Sequence, residues 1–114
     1  MERTFGQKLR ALRRAVNVTQ RKLAERVGVD FSYISKLEND RLPPPSADTV
    51  VKICKALSVT PDELLAASGK MPPQVQQSIV SSPAAIQFLR SAQAMRLSEA
   101  EWKLLSEQLK RLRE

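Results

Sequence analysis

Ser32, Ser35, Lys36 and Asn39 are the residues whose types and spacing best suit chemistry at a surface. On a helix turning about 100° per residue they share one face, opposite Ile34 and Leu37. Hydroxyl, amide and ammonium groups hydrogen-bond, none of them repels phosphate, and no acid sits at the centre of the face. Such a face suits the major groove of a duplex, where base edges present donors and acceptors. A helix meant only for solvent more often mixes Glu and Lys in pairs. Covalent chemistry is poorly supplied. The 114 residues include no histidine, which removes Ser-His-Asp and Cys-His arrangements and His-containing zinc sites. The three glycines, Gly6, Gly28 and Gly69, are too dispersed to cradle a phosphate. Cys54 is single, so no intrachain disulfide forms; it reads as a buried structural thiol in a reducing compartment. A carboxylate or lysine catalyst is all that remains formally open. The expectation is a chain that is no enzyme and needs no cofactor or metal.

Charge points the same way. Lys and Arg number 19 against 12 acids, a net of +7. Residues 1–27 hold eight basic and two acidic residues, a net of +6; residues 28–70 net −1 and residues 71–114 net +2. A field concentrated in the first quarter attracts polyanions, nucleic acid or anionic membrane, although charge runs are often only solvated faces. No apolar run approaches the roughly 20 residues needed to cross a bilayer, and MERTFGQKLRALRR lacks the apolar stretch of a secretory signal. The expectation is a cytoplasmic protein without a membrane partner.

The elements that must position that face are helices. Phe5, Leu9, Leu12 and Val16 recur at helical spacing and predict a first helix near 4–16. Thr19 caps a second, with Leu23, Ala24 and Val27 inward, and Gly28 ends it. Asp30 caps a third, which runs to about Glu38. The three- to four-residue turn around Gly28-Val29-Asp30 makes these two a helix-turn-helix pattern. Pro43-Pro44-Pro45 enforces a loop. Ser46 caps a fourth helix, striped with Val50, Ile53, Cys54 and Leu57. Thr60-Pro61-Asp62-Glu63 reads as a capping box opening a fifth that ends near Gly69.

The texture then changes. Residues 70–82 are rich in Pro, Ser and Gln and read as a linker with room for a short helix around Val75 to Val80. From Ser82-Pro83 another helix carries Ile86 and Leu89. Ser98 and Glu101 form a capping box, followed by Trp102, Leu105, Leu109 and Leu112 at spacings of 3, 4 and 3. This seam spans about two heptads, short of a coiled coil. Such a stripe either folds back on its own domain or pairs with a second copy, and pairing is the favoured reading.

The run Thr19-Gln20, Leu23-Ala24, Gly28-Val29 and Ile34-Ser35-Lys36-Leu37-Glu38-Asn39 resembles the lambda-repressor and Cro type of helix-turn-helix domain, the XRE family. Leu42 to Leu57 and Val59 to Leu65 continue the resemblance, which covers about residues 4–69. It implies a five-helix DNA-binding domain at 1–69; within an all-α fold the change of texture and the apolar stripe, not the resemblance, add the linker 70–82 and a C-terminal helical dimerisation segment at 83–114. It implies base reading by Phe31, Ser32 and Lys36. Phosphate contact or support falls to Arg13, Thr19, Gln20, Tyr33, Ser35, Asn39 and Arg41, with Arg13 pairing with Glu38 and turned toward phosphate. Outside the resemblance, the apolar spacing assigns dimerisation to Ile86, Leu89, Trp102, Leu105, Leu109 and Leu112. Phe31 stands where the family usually has a polar residue, often glutamine; it either meets a thymine methyl group or packs on the protein. Asp40 stands where the family often has glycine, which leaves the loop around Arg41 open. The resulting expectation is a homodimeric regulator, a repressor, of double-stranded DNA with a palindromic operator. The alternative is an interaction module, an antitoxin or adaptor, whose residues 70–114 hold a regulatory protein.

Overall fold

Residues 3–114 are described by a computed structural model. Eight helices follow one another in chain order, with no strand among the described residues. They fall into two units, divided after Pro73.

The first unit contains α1 (Phe5–Ala15), α2 (Gln20–Val27), α3 (Phe31–Glu38), α4 (Ala47–Ala56) and α5 (Asp62–Ser68). Each helix starts where the chain supplies a partner for its free N–H groups. Thr4 and Gln7 form a reciprocal capping box on α1. Thr19 accepts from the Lys22 N–H on α2, and Ser46 from the Thr49 N–H on α4. Two expected caps differ. Asp30 occupies the cap position of α3 but makes no side-chain bond there. At α5 the cap is Pro61, with no side-chain bond, so the Thr60 capping box is absent. Proline's fixed φ suits a helix entrance by itself.

Inward faces of all five helices meet in one core. Leu9, Leu23, Ile34, Val50, Ile53, Cys54 and Leu64 are wholly buried, and Leu37 and Leu57 nearly so. Burial, with Asp62 adding to it, pushes the Cys54 thiol up and keeps it protonated and unreactive. Lys70 donates to the Pro44 and Pro45 carbonyls at 2.9 and 3.0 Å, tying the proline loop to the end of the unit. A close approach holds α1 on α3. A Cβ added at Gly6 would lie 2.5 and 2.6 Å from the carbonyl oxygens of Leu37 and Glu38, so only glycine fits.

The second unit holds α6 (Pro73–Val80), α7 (Pro83–Met95) and α8 (Glu99–Arg111), with α6 inside the expected linker. Ser82 caps α7, and Ser98 and Glu101 form the capping box of α8. Accepting from both the Ser98 backbone and its hydroxyl holds the Glu101 carboxyl below its ordinary value. Of residues 74–114 only Ala92 is buried. No helix among the described residues is long and apolar enough to cross a membrane.

Candidate nucleic-acid interface

The turn between α2 and α3 depends on Gly28, whose φ of +84° lies in the left-handed region that L side chains rarely enter. Its N–H and that of Val29 both return to the Ala24 carbonyl, so α2 closes tightly and α3 leaves at once. Ile34 and Leu37 then anchor α3 in the core. Its opposite side carries exposed Ser32, Lys36 and Asn39, with Ser35 and Tyr33 half-buried. Exposed Arg41 follows in the loop. Phe31 is 40% exposed at the N-terminal end of α3.

Beneath this face lies a buried ionic knot. Glu38 is only 2% exposed and accepts four hydrogen bonds. Arg13 Nε and Nη2 reach it at 2.5 and 2.9 Å, Gln20 Nε2 at 2.9 Å and Arg10 Nε at 3.4 Å. Burial pushes the Glu38 carboxyl up, but the bonds from Arg13 and Gln20, the Arg13 charge and the Arg10 bond outweigh it. The net effect is a carboxyl held below its ordinary value and ionised at neutral pH. Arg13 also donates to the Val18 carbonyl at 2.8 Å. One carboxylate therefore ties the starts of α2 and the ends of α1 and α3 together.

This knot contains the Arg13–Glu38 pair that the resemblance implied and sets the part played by its neighbours. Arg13 is 7% exposed and faces inward; its guanidinium positions α3 rather than reaching outward. Gln20 turns its amide to Glu38. Asn39 accepts from Arg10 Nη2 at 2.9 Å and donates to the Ser35 carbonyl at 2.8 Å, closing the end of α3. Thr19 is the cap of α2. Ser32 and Lys36 remain on the open face, beside a shallow cleft floored by Val29 and Tyr33. A second open cleft brings Arg10, Arg14 and Arg21 together with Thr19, Gln20 and Phe31. These cations suit a phosphate chain.

Arg10 and Arg21 were not singled out by sequence reasoning, and Asp40 was noted only as a departure from the family pattern. Asp40 takes φ +56°, the conformation for which glycine is usual, and its carboxylate explains why an acid stands there. It accepts from Thr4 Oγ1 at 2.6 Å and from the Gly6 N–H at 3.0 Å, placing negative charge at the positive end of α1. Arg10 joins the knot from the rim. Arg21 sets its guanidinium over the Phe31 ring, 4.7 Å from the centroid. None of these pairings has a local sequence signal, because the partners lie 10 to 36 positions apart. Among the described residues no group of His, Cys, Asp and Glu could hold a metal ion.

In the second unit α7 and α8 line an apolar groove of about 310 Å³ bounded by Phe88, Met95, Leu97, Leu104 and Leu105. Of the residues expected at an interface, Ile86 (41%), Leu89 (37%), Trp102 (38%), Leu109 (69%) and Leu112 (75%) are exposed, and Leu105 is half-buried. Phe88 (51%), Met95 (70%) and Leu104 (59%) are exposed as well, although the stripe drawn from sequence omitted them.

Known proteins share the first unit. A family model described as helix-turn-helix matches residues 9–64. RghRB of Bacillus subtilis (strain 168), an uncharacterized HTH-type transcriptional regulator, is 42% identical over 65 residues, which are 57% of this chain and 47% of that protein. The restriction-modification controller protein C.AhdI from Aeromonas hydrophila is 38% identical, with a TM-score of 0.50 over 53% of this chain and 86% of its own. The P22 c2 repressor, solved in complex with a synthetic operator, is 30% identical, with a TM-score of 0.52 over 58% of this chain and 98% of its own. The chain belongs to the lambda-repressor and Cro type of helix-turn-helix family, whose members are transcriptional regulators and not enzymes. It spans about half the length of RghRB.

Proposed function

We propose that this chain is a cytoplasmic, sequence-specific double-stranded DNA-binding repressor that reads a palindromic operator as a homodimer. The observation that carries the reading is the two-sided character of α3. One side is locked by Ile34, Leu37 and the Glu38 knot, and the other offers exposed Ser32 and Lys36 beside a cluster of arginines. A rigid reading face next to cations suits base edges flanked by phosphates. The P22 c2 repressor, in complex with a synthetic operator, supports both the ligand and the sign of regulation. The exposed apolar side chains of residues 74–114 support self-association, because a unit that buries only Ala92 gains most by covering them with a second copy. Two copies would place their α3 helices roughly 34 Å apart, one turn of DNA.

Selection of bound duplexes from a random pool tests this with the full chain. A two-fold symmetric motif is expected. On the selected duplex, Lys36→Ala relaxes preference at one position by about 1–3 kcal/mol. Gln20→Ala weakens all duplexes alike, through phosphate and through a loosened α3. Equal uniform losses from both variants would overturn the assignment of roles. The groove between α7 and α8 favours one second reading, in which residues 74–114 hold a different regulatory protein. A monomeric chain without an enriched motif would favour it.

A further inference from the structure

Arg21 differs from Arg10, Arg13 and Arg26 in keeping its donors free of protein partners among the described residues, and from Arg14 and Arg41 in being held by an aromatic ring. Arg10 and Arg13 commit donors to Glu38, and Arg26 donates to the Ala56 carbonyl at 3.2 Å. Arg21 is exposed, and among the described residues it forms no salt bridge. Its partner is the face of Phe31, 4.7 Å from guanidinium carbon to ring centroid. Stacking on a ring holds a guanidinium in place without using any of its five N–H groups. The donors stay available, and a planar fork of donors is the group that binds guanine O6 and N7 together. Phe31 offers no hydrogen bond, but it presents an apolar surface at the first position of α3. In the major groove the matching group is the 5-methyl of thymine. Successive bases on a strand rise about 3.4 Å, so two side chains stacked in this way fit two adjacent base pairs.

Resting on the DNA-reading role given above, we propose that Arg21 and Phe31 form one specificity-determining unit that recognises a thymine next to a guanine, Phe31 by the methyl group and Arg21 by the guanine edge. The pair also gives the apolar residue at position 31 a purpose. Its ring orients the arginine of the preceding helix, so one aromatic side chain serves two adjacent bases. A 5-methylcytosine presents the same methyl group and substitutes for the thymine in that contact.

The test uses the full-length chain and the duplex enriched from a random pool, with single-atom changes in the DNA. Replacing the contacted thymine by uracil removes only the methyl and is expected to weaken binding about fourfold, the worth of one buried methyl group. Replacing the adjacent guanine by 7-deazaguanine removes N7 and is expected to cost roughly tenfold, within the range of a bidentate contact. Arg21→Ala abolishes the 7-deazaguanine penalty and keeps the uracil penalty. Arg21→Lys retains salt-dependent affinity for random duplex and weakens the guanine preference, because an ammonium is a point charge without the planar fork. Phe31→Leu keeps the uracil penalty and loses most of the guanine penalty, since the ring that orients Arg21 is gone. Both side chains are exposed, and unchanged melting curves will show that these variants fold. The proposal is overturned if Arg21→Ala weakens operator and random duplex by the same factor, the behaviour of a phosphate contact. It is also overturned if every guanine retains its full penalty in that variant. Absence of any enriched duplex with the unaltered chain overturns the DNA-reading role itself, and the Arg21–Phe31 assignment with it.

Discussion

Residues 3–73 and residues 74–114 are both helical, yet they treat their apolar side chains in opposite ways. The first unit closes on itself: its five helices turn Leu9, Leu23, Ile34, Val50, Ile53 and Leu64 wholly out of solvent. The second leaves Phe88, Met95, Leu104, Leu109 and Leu112 more than half exposed and buries only Ala92. Its helices are well made, with Ser82 and Ser98 capping them. Good caps build a helix; they do not build a core. The contrast teaches that the first unit encloses a core of its own, whereas the second leaves its apolar side chains uncovered.

The largest effect expected from breaking this contrast falls on the ionic knot. Glu38→Ala strands the buried Arg13 guanidinium without its partner and should cost about 3–5 kcal/mol in chemical denaturation. The same site predicts an acid dependence. The folded Glu38 carboxyl lies below its unfolded value, so its contribution is complete above the unfolded Glu pKa of about 4.3 and is lost as pH falls through the folded value. Denaturation followed from pH 7 downward should show that loss, and Glu38→Gln should lack it.

Next comes a matched pair of leucines. Leu37→Ala, at 1% exposure, should lower stability by about 2–5 kcal/mol at any protein concentration. Leu109→Ala, at 69% exposure, should change the dilute chain by no more than about 0.5 kcal/mol. Comparable losses from the two would show that residues 74–114 possess a core of their own. Trp102→Ala sharpens the same distinction. If the proposed self-association holds, loss of this aromatic anchor should weaken it by about 2 kcal/mol, read by sedimentation equilibrium, and leave the denaturation of a dilute sample unchanged. The smallest effect compares caps. Thr19→Ala and Ser98→Ala should each cost about 1 kcal/mol of local helix stability. In the first unit this appears as a shift of the cooperative transition, and in the second as lost helical signal that depends on concentration.

Most of the helices were legible in the residues. Apolar spacing and caps located α1 to α4, the run from Thr60 to Gly69 placed α5, Gly28 ended α2, and Ser98 with Glu101 announced α8. These signals lie within three or four positions and need no tertiary partner. The Thr60 capping box failed because Pro61 already supplies the entrance geometry. Ser32 and Lys36 were legible too, since the face opposite two core residues follows from helical periodicity alone. The Arg13–Glu38 pair came only with the family resemblance; the turn of Gln20 to Glu38, the second role of Asp40 and the stacking of Arg21 on Phe31 were not legible, because each depends on a contact between different elements.

The sequence by itself determined where helices begin and end, which sides are apolar, and that cations gather near the N-terminus, because caps, periodicity and charge are local properties of a chain. Only the tertiary structure decided which cations remain available. Packing α1 against α3 at Gly6 brings Arg13, Arg10 and Gln20 onto one buried carboxylate, where desolvation makes pairing obligatory. Arg21, left outside that knot, finds instead the ring of Phe31.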